Sequence, residues 1–161
     1  MGSEMCIRDS LLTARREERL KEISASRKED FKVDCNYIAA DLAQVSAPEI
    51  IYNFCSENNY IVEILVNNAG YSINKKFHET GEDEEEKFLR VLGIAVVALT
   101  KKFIPSMIEQ KQGKIMMVSS LASFAPPSSG WGALYGPVKT CLLYTSPSPR
   151  DLSTSRMPSS A

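Results

Sequence analysis

The chain has 161 residues, 43% of them hydrophobic and 24% charged, which is typical of one soluble globular domain. Its 19 lysines and arginines nearly balance 20 aspartates and glutamates, so the charge does not indicate binding to nucleic acid or to an anionic membrane. The longest apolar run, residues 92–99, is far shorter than a membrane span, and residues 1–10 lack the apolar core of a secretory signal. We therefore expect a cytoplasmic protein with no nucleic-acid or membrane partner.

The residues that commonly bind metals do not form a recognisable pattern. The four cysteines, at positions 6, 35, 55 and 141, include no C-x-x-C pair, which predicts neither a zinc site nor a disulfide framework. His78 has no partners of a catalytic triad nearby and is interpreted as a loop residue. The acidic run 82–86 suits a helix N-terminus, where the macrodipole favours carboxylates, better than a cation site. We expect no metal site.

The two ends of the chain are related at the nucleotide level. Residues 1–10 can be encoded by a string whose reverse complement, in another frame, encodes residues 141–149. Both strings resemble the adapters of transposase-based sequencing libraries, and the Ser/Pro-rich residues 146–161 lack hydrophobic periodicity. We therefore predict that residues 1–10 and 141–161 are adapter-derived, with few contacts to the core and residues 141–161 disordered. The native part is then one partial domain, residues 11–140. The alternative is a natural disordered tail.

Strand and helix patterns alternate through the first half of this domain, which predicts βαβ units and a parallel sheet. Residues 11–14 are typical of a strand end, and residues 16–27 predict an exposed amphipathic helix with Leu20 and Ile23 inward. A strand is expected over residues 32–39. A helix over residues 47–58 follows, with one apolar face made of Ile50, Ile51 and Phe54.

The second half continues the alternation. The apolar run 61–66 predicts a central parallel strand. A long helix is expected from about Glu82 to Gln110, with Thr80 as its N-cap and Gly113 ending it. Residues 114–119 predict the next strand, and a last helix begins near Leu134. The expected fold class is α/β, an incomplete Rossmann-like doubly wound parallel sheet that lacks its first β-α unit and its C-terminal strands.

Polar motifs follow the predicted strands where each strand ends. In an open parallel sheet, ligands bind beyond the carboxyl ends of the strands, so these motifs predict one binding edge. In chain order they are Arg15-Arg16, Asp41-Leu42, Asn67-Asn68-Ala69-Gly70 and Ser119-Ser120.

Tyr135 and Lys139 are four residues apart and share one face of the last predicted helix. A cation beside a phenol favours the phenolate and makes tyrosine a better acid/base catalyst. Pro137 is tolerated only in a first helical turn, which places Tyr135 at the exposed start. Alone, this spacing is a weak signal, and a surface tyrosine beside a solvated lysine is the commoner explanation. The strand-end motifs that precede it favour the catalytic interpretation.

The segments ARREERL, AADL, ILVNNAG, GKIMMVSS and YGPVK resemble, in order, the landmarks of the classical short-chain dehydrogenase/reductase family. The resemblance covers essentially all of residues 11–140. It implies an enzyme that interconverts a small-molecule carbonyl and an alcohol by hydride transfer with NAD(P), and a homo-oligomeric parent protein. It also implies that Tyr135 is the proton donor and acceptor, that Ser120 hydrogen-bonds the substrate carbonyl, and that Lys139 tunes Tyr135. Cofactor contacts are implied for Asp41, Leu42, Asn68, Ala69, Gly70, Tyr135 and Lys139.

Arg15 and Arg16 stand at the strand end where this family discriminates between cofactors. An acidic residue there would accept hydrogen bonds from a ribose diol, whereas two guanidinium groups suit a 2′-phosphate. The resemblance therefore implies NADP(H) rather than NAD(H), with both arginines binding the cofactor. The alternative is an arginine pair that merely opens an exposed helix.

Three features depart from the family pattern. The glycine-rich pyrophosphate loop is absent, since the chain begins after the unit that would carry it. Leu92 stands where the family has an Asn that completes a proton relay. The interval from Ser120 to Tyr135 is about two residues longer than usual, and the enlarged loop with Trp131 is expected to border the substrate. Leu92 keeps open a non-catalytic NADP(H)-binding or sensor protein of the same fold. A further interpretation is that the chain as written is an inactive truncated product.

Overall fold

A computed structural model describes residues 9–124 and 134–145 of the chain. Strands and helices alternate along it, so the predicted α/β class is confirmed. The elements are β1 Ser10–Ala14, α1 Glu17–Phe31, β2 Cys35–Ala39, α2 Ala47–Glu57, β3 Ile64–Asn67, α3 Glu82–Leu89, a π-helical turn Arg90–Ile94, α4 Ala95–Glu109, β4 Lys114–Met117 and α5 Tyr135–Thr145. Short 3₁₀ turns lie at Phe77–Glu79 and Leu121–Ser123.

The strands form two parallel pairs. β1 pairs with β2, from Ser10 opposite Cys35 onward, and β3 pairs with β4, from Ile64 opposite Lys114 onward. In the described part of the chain each pair is a separate sheet. In a doubly wound sheet, a strand preceding β1 in sequence would lie between β1 and β3. Without that strand, such a sheet would consist of two separate pairs, as expected for an incomplete Rossmann-like fold.

One apolar cluster joins the two strand pairs. Its buried members lie on α2 and α4: Ile51, Cys55, Leu99, Phe103 and Met107. Leu11, Ile38, Leu65 and Ile115, one from each strand, pack against it. Fully burying an aliphatic or aromatic side chain stabilises the fold by about 1.5–3 kcal/mol. The shared cluster therefore joins the two strand pairs through one apolar core.

A second cluster joins α3 and the π-turn to the start of α5. It is built on Ile73, Phe88, Val91 and Leu92, of which Leu92 is fully buried. Tyr71, Leu134, Tyr135 and Val138 pack against it. Because π-turns within α-helices occur frequently at functional sites, their position is informative. Here the π-turn lies beside the helix that carries the predicted Tyr–Lys pair.

The continuous helix Glu82–Glu109 is 28 residues long and apolar enough to cross a membrane, by length and composition alone. The core helix of a soluble protein passes the same test. Leu99 and Phe103 of this helix pack in the core cluster described above. The expected absence of a membrane partner stays a prediction.

Leu20 and Ile51 are buried as predicted, but one other residue in each of the two predicted buried faces is exposed. Ile23 is exposed, whereas Ser24 is buried and its hydroxyl donates a hydrogen bond to the Cys35 carbonyl at 2.5 Å. Likewise Ile50 is 48% exposed, whereas Ile51 is buried. In both helices the buried residues are four positions apart. Packing against the neighbouring element decides which residues these are, and apolar content alone does not predict them.

The predicted bounds of the long helix, about Glu82 to Gln110, agree with the structure, but the residues predicted to cap its two ends do not. Gly81, not Thr80, is the N-cap of α3, and the Thr80 hydroxyl instead donates to the Phe77 carbonyl at 2.7 Å. The long helix ends at Glu109, well before Gly113. Gly113 is a packing requirement, because a Cβ there would stand 2.5 Å from Cβ of Met107.

Residues near the predicted domain limits contact the core. The Ser10 N–H donates to the Asp34 carbonyl at 2.8 Å, within the β1 pairing. Helix α5 continues through Cys141 to Thr145, and Leu142 is buried. The expectation of few contacts with the core is therefore wrong for Leu142, whereas Ser10 is exposed within the strand pairing. Residues 1–8 and 146–161 lie outside the described residues, and the adapter origin of the ends stays a prediction.

Candidate active site

Lys139 is a buried cation at the end of β4. Its side chain is 3% exposed, and its Nζ donates a hydrogen bond to the Val118 carbonyl at 2.7 Å. Burial lowers the pKa of Lys139, because the ammonium loses hydration that the neutral amine needs less. The Nζ lies 6.0 Å from the centre of the Tyr135 ring. The structure thus brings together the two groups that the i, i+4 spacing placed on one face.

Tyr135 is the first residue of α5, as Pro137 in the following turn predicts. Its half-buried ring packs against Phe88, with centroids 6.5 Å apart. It also borders a shallow cleft that is open to solvent. The other lining residues are Ile73, Lys75, Phe77, Thr80, Glu85, Phe88 and Leu134. The lining beside the phenol is therefore largely apolar.

The adjacent serines have different surroundings. The Ser119 hydroxyl donates to the Lys139 carbonyl at 2.8 Å and lies 2.8 Å from the Ser123 hydroxyl. The Ser120 hydroxyl accepts only a 3.2 Å hydrogen bond from the Ala122 N–H among the bonds observed for it. Ser119 therefore ties β4 to α5. Ser120, the predicted substrate contact, keeps hydrogen-bonding capacity at the strand end.

Gly136 is a positioning residue that the sequence interpretation missed. A Cβ at this position would stand 2.9 Å from the Ala122 carbonyl oxygen, closer than real contacts allow. The start of α5 therefore packs directly on the backbone of the 3₁₀ turn that follows Ser120. The available signal was a glycine immediately after Tyr135 in the YGPVK segment.

The turn after β3 presents exposed backbone next to Lys139. Asn68, Ala69 and Gly70 are all exposed. A Cβ on Gly70 would stand 3.7 Å from the Lys139 Nζ, so the glycine leaves an open approach to the amino group. Asn67, by contrast, is buried and its Nδ2 donates to the Thr100 hydroxyl at 3.3 Å. The first Asn of the motif is structural, and the second faces solvent.

The ends of β1 and β2 bring charged groups near Tyr71. The Arg15 guanidinium lies 5.9 Å from the Tyr71 ring centre. Burial is the main cause that raises the pKa of Tyr71; Arg15 opposes it, and Asp41 and Glu84 add to it. Asp41 also accepts a 3.1 Å hydrogen bond from the Ala43 N–H.

The remaining predicted residues have different surroundings from one another. Arg16 is exposed at the N-cap of α1, and half-buried Leu42 packs against both apolar clusters. His78 is exposed in a 3₁₀ turn, with Nε2 3.8 Å from the Glu79 carboxylate. Within residues 9–124 and 134–145, no three His, Cys, Asp or Glu side chains are grouped to hold a metal ion. Trp131 and its loop lie outside the described residues.

Parallel strands with polar groups at their carboxyl ends define a Rossmann-like α/β protein. The model of the short chain dehydrogenase family matches residues 8–142. The chain belongs to the short-chain dehydrogenase family.

Relatives of known sequence agree with this assignment. Dehydrogenase/reductase SDR family member 7 of Mus musculus is 33% identical over 125 residues, covering 76% of this chain and 37% of the relative. The uncharacterized oxidoreductase YvaG of Bacillus subtilis is 29% identical over 145 residues, covering 89% of this chain and 53% of the relative. The chain thus spans only about a third to a half of the length of these relatives.

Solved structures show the same fold. A metagenomic short-chain oxidoreductase in complex with NADP is 28% identical, with a TM-score of 0.77 over 84% of this chain and 60% of that one. L-Sorbose reductase from Gluconobacter frateurii, complexed with NADPH and L-sorbose, is 27% identical, with a TM-score of 0.76 over 83% of this chain and 50% of that one. The Rossmann-like fold and the oxidoreductase family are therefore shown.

Proposed function

We propose that the chain is part of an NADP(H)-dependent oxidoreductase that interconverts a small-molecule carbonyl and an alcohol, with Tyr135 as proton donor and acceptor. The observation that carries this proposal is the buried Lys139. Its amino group is fixed by the Val118 carbonyl, 6.0 Å from the Tyr135 ring centre and beside the exposed turn at Gly70. Membership of the short-chain dehydrogenase family supports the reaction class.

The strand-end residues fit a nicotinamide dinucleotide. The absent Cβ of Gly70 leaves space beside the Lys139 amino group, where ribose hydroxyls could accept its hydrogen bonds. Asn68 is exposed on the same turn, and Asp41 with Leu42 follows the neighbouring pair of strands. When bound, this cofactor supplies or accepts the hydride. Every other step falls to side chains of the chain itself.

The proposed proton transfer uses three side chains. Ser120 donates a hydrogen bond to the substrate oxygen and holds it near Tyr135, which donates its phenolic proton to that oxygen during reduction. Lys139 stabilises the resulting phenolate by its positive charge. Because Lys139 is buried, water screens this interaction less than it would at the surface. Oxidation of the alcohol runs the same steps backward.

The preference for NADP(H) rests on Arg15 and Arg16. Both are exposed at the end of β1, where a phosphate monoester can reach them. Bidentate guanidinium–phosphate contacts are among the strongest charge-assisted hydrogen bonds. The structural relatives that were solved with NADP or NADPH support the same choice, as a property of those proteins.

The test replaces Tyr135 by Phe in the full-length parent enzyme. General acid catalysis contributes typically about 10²–10⁴-fold, so kcat should fall by at least that factor while the Kd for NADPH stays nearly constant. Tyr60→Phe is the matched control, because Tyr60 packs against Phe54 away from the site and should keep full turnover. Full turnover by Tyr135→Phe would refute the proposed role of the tyrosine.

The second candidate function is a non-catalytic NADP(H)-binding or sensor protein of the same fold. The observation that favours it is Leu92, a fully buried apolar side chain at the position where the resemblance implies a relay Asn. A parent protein that binds NADPH with wild-type Ser120, Tyr135 and Lys139 yet turns over no carbonyl substrate would support it. The chain by itself, without a glycine-rich loop, is proposed to be inactive.

Homo-oligomer formation also stays a proposal. Ile94 and Val97 are each about half exposed on the long helix, which supports a contact with a second copy. Sedimentation of the parent protein decides between monomer and oligomer. A cytoplasmic location stays a prediction as well.

A further inference from the structure

Leu92 lies at the centre of the π-turn and is fully buried. Its Cγ and the Lys139 Nζ stand 3.6 and 3.7 Å from one point, the position that a Cβ on Gly70 would occupy. The cluster that contains Leu92 also packs against Tyr135 and Val138 of α5. Leu92 is therefore an apolar wall of the small space beside Gly70 that the lysine amino group also borders.

The other groups around this space are polar or exposed. Gly70 belongs to an exposed turn, and the Val118 carbonyl accepts a hydrogen bond from Nζ. A polar side chain at position 92 would offer both the ammonium and water a hydrogen-bond partner in this space. A leucine offers neither, since its side chain cannot hydrogen-bond.

We propose that Leu92 is a positioning residue for Lys139: as the apolar wall of the space beside Gly70, it limits the water that can hydrate the amino group there. The inference rests on the proposed function of Lys139. An amide side chain at position 92 would have the opposite effect on the hydration of the amino group. Burial is the cause that lowers the pKa of Lys139, which agrees with an apolar wall.

Charged and titratable groups near α5 do not account for this environment. Tyr135 lies on α5 itself, and Tyr71 packs in the same cluster. On the elements packed against α5, the Arg90 guanidinium is paired with the Glu86 carboxylate at 2.9 Å, and Glu85 lines the cleft beside Tyr135. None of these groups is a cause of the Lys139 shift, whereas burial is.

The test measures the titration of Lys139 in the chain itself by NMR of ¹³Cε-labelled lysine, with the Lys139 signal assigned by its loss in Lys139→Arg. Leu92→Asn should move the Lys139 midpoint upward, and Leu92→Met should restore the wild-type midpoint. Gly70→Ala should move it further downward, because the added methyl would stand in ordinary contact with both Leu92 and Nζ. The two variants therefore shift the midpoint in opposite directions.

Val91→Asn is the matched control for a general loss of packing. Val91 is buried in the same π-turn and the same cluster, and its replacement should lower stability without moving the Lys139 midpoint. An unchanged midpoint in Leu92→Asn, or an equal shift in Val91→Asn, overturns the proposal. Should Leu92→Asn fail to fold, Gly70→Ala decides alone, and an unshifted midpoint refutes the wall.

This readout is separate from the proposed function. It needs neither cofactor nor turnover, so a titration that refutes the role of Leu92 does not affect the result of Tyr135→Phe. Conversely, full turnover by Tyr135→Phe would remove the catalytic role of the pair while the Lys139 titration still reports on Leu92.

Discussion

Ser119 and Ser120 are neighbours in sequence, yet we expect replacement of the first to affect mainly stability and replacement of the second to affect mainly catalysis. Ser119→Ala deletes a hydroxyl that bonds the Lys139 carbonyl and lies within hydrogen-bond distance of Ser123. Two partners in a half-buried site then lose a hydrogen bond, at roughly 0.5–1.5 kcal/mol each, so the free energy of unfolding should fall by about 1–3 kcal/mol. Ser120→Ala deletes one 3.2 Å bond to the Ala122 N–H and should cost about 0.5–1 kcal/mol.

Urea unfolding followed by circular dichroism measures both variants, and an unchanged m value shows that the comparison is sound. In the parent enzyme the order should reverse: Ser120→Ala should lower kcat strongly, while Ser119→Ala should act mainly through stability. Equal stability losses, or a larger loss in Ser120→Ala, would refute the assignment of Ser119 as the residue that ties β4 to α5.

Three further outcomes follow from single contacts. Gly113→Ala should lower stability by about 1–3 kcal/mol, because its methyl group would overlap α4, whereas Gly81→Ala meets nothing within 4 Å and serves as the control in thermal unfolding. Because burial lowers the pKa of Lys139, the unfolded chain keeps that proton to a higher pH than the folded one. The free energy of unfolding should therefore rise with pH between the lowered pKa and the ordinary value of 10.5. In Lys139→Met this rise should be absent when the free energies of unfolding of the two proteins are compared over the same pH range. In the parent enzyme, replacing Arg15 and Arg16 by Ala should reduce the NADP/NAD ratio of kcat/KM, by about 1.5–3 kcal/mol for each lost contact; an unchanged ratio would contradict their role.

The alternation of strands and helices was predictable because each element carries its own local signal. The apolar run before Asn67 and the alternating elements around it need no distant contact to be recognised. Pro137 fixed the start of α5 by the same kind of local rule, since proline fits only a first helical turn. The order of the strand-end motifs then placed Ser120, Tyr135, Lys139 and Gly70 at one edge of the fold.

Sequence periodicity could not say which side of a helix is buried when apolar residues are adjacent. Ile50 and Ile51 are equally apolar, and only packing against the neighbouring elements exposes the first and buries the second. The burial of Ser24 in place of Ile23 has the same origin, because the Cys35 carbonyl accepts the hydrogen bond that compensates for burying the serine hydroxyl.

The sequence by itself determined the family and the set of side chains available for chemistry, since both follow from residue types in a fixed order. Only the tertiary structure separated the duties of like residues: Asn67 is buried and Asn68 exposed, and Ser119 holds α5 while Ser120 keeps hydrogen-bonding capacity. It also decided that Leu92 and the Lys139 amino group border the same space beside Gly70. These distinctions depend on which atoms approach each other across elements far apart in the chain, and no local pattern encodes such distances.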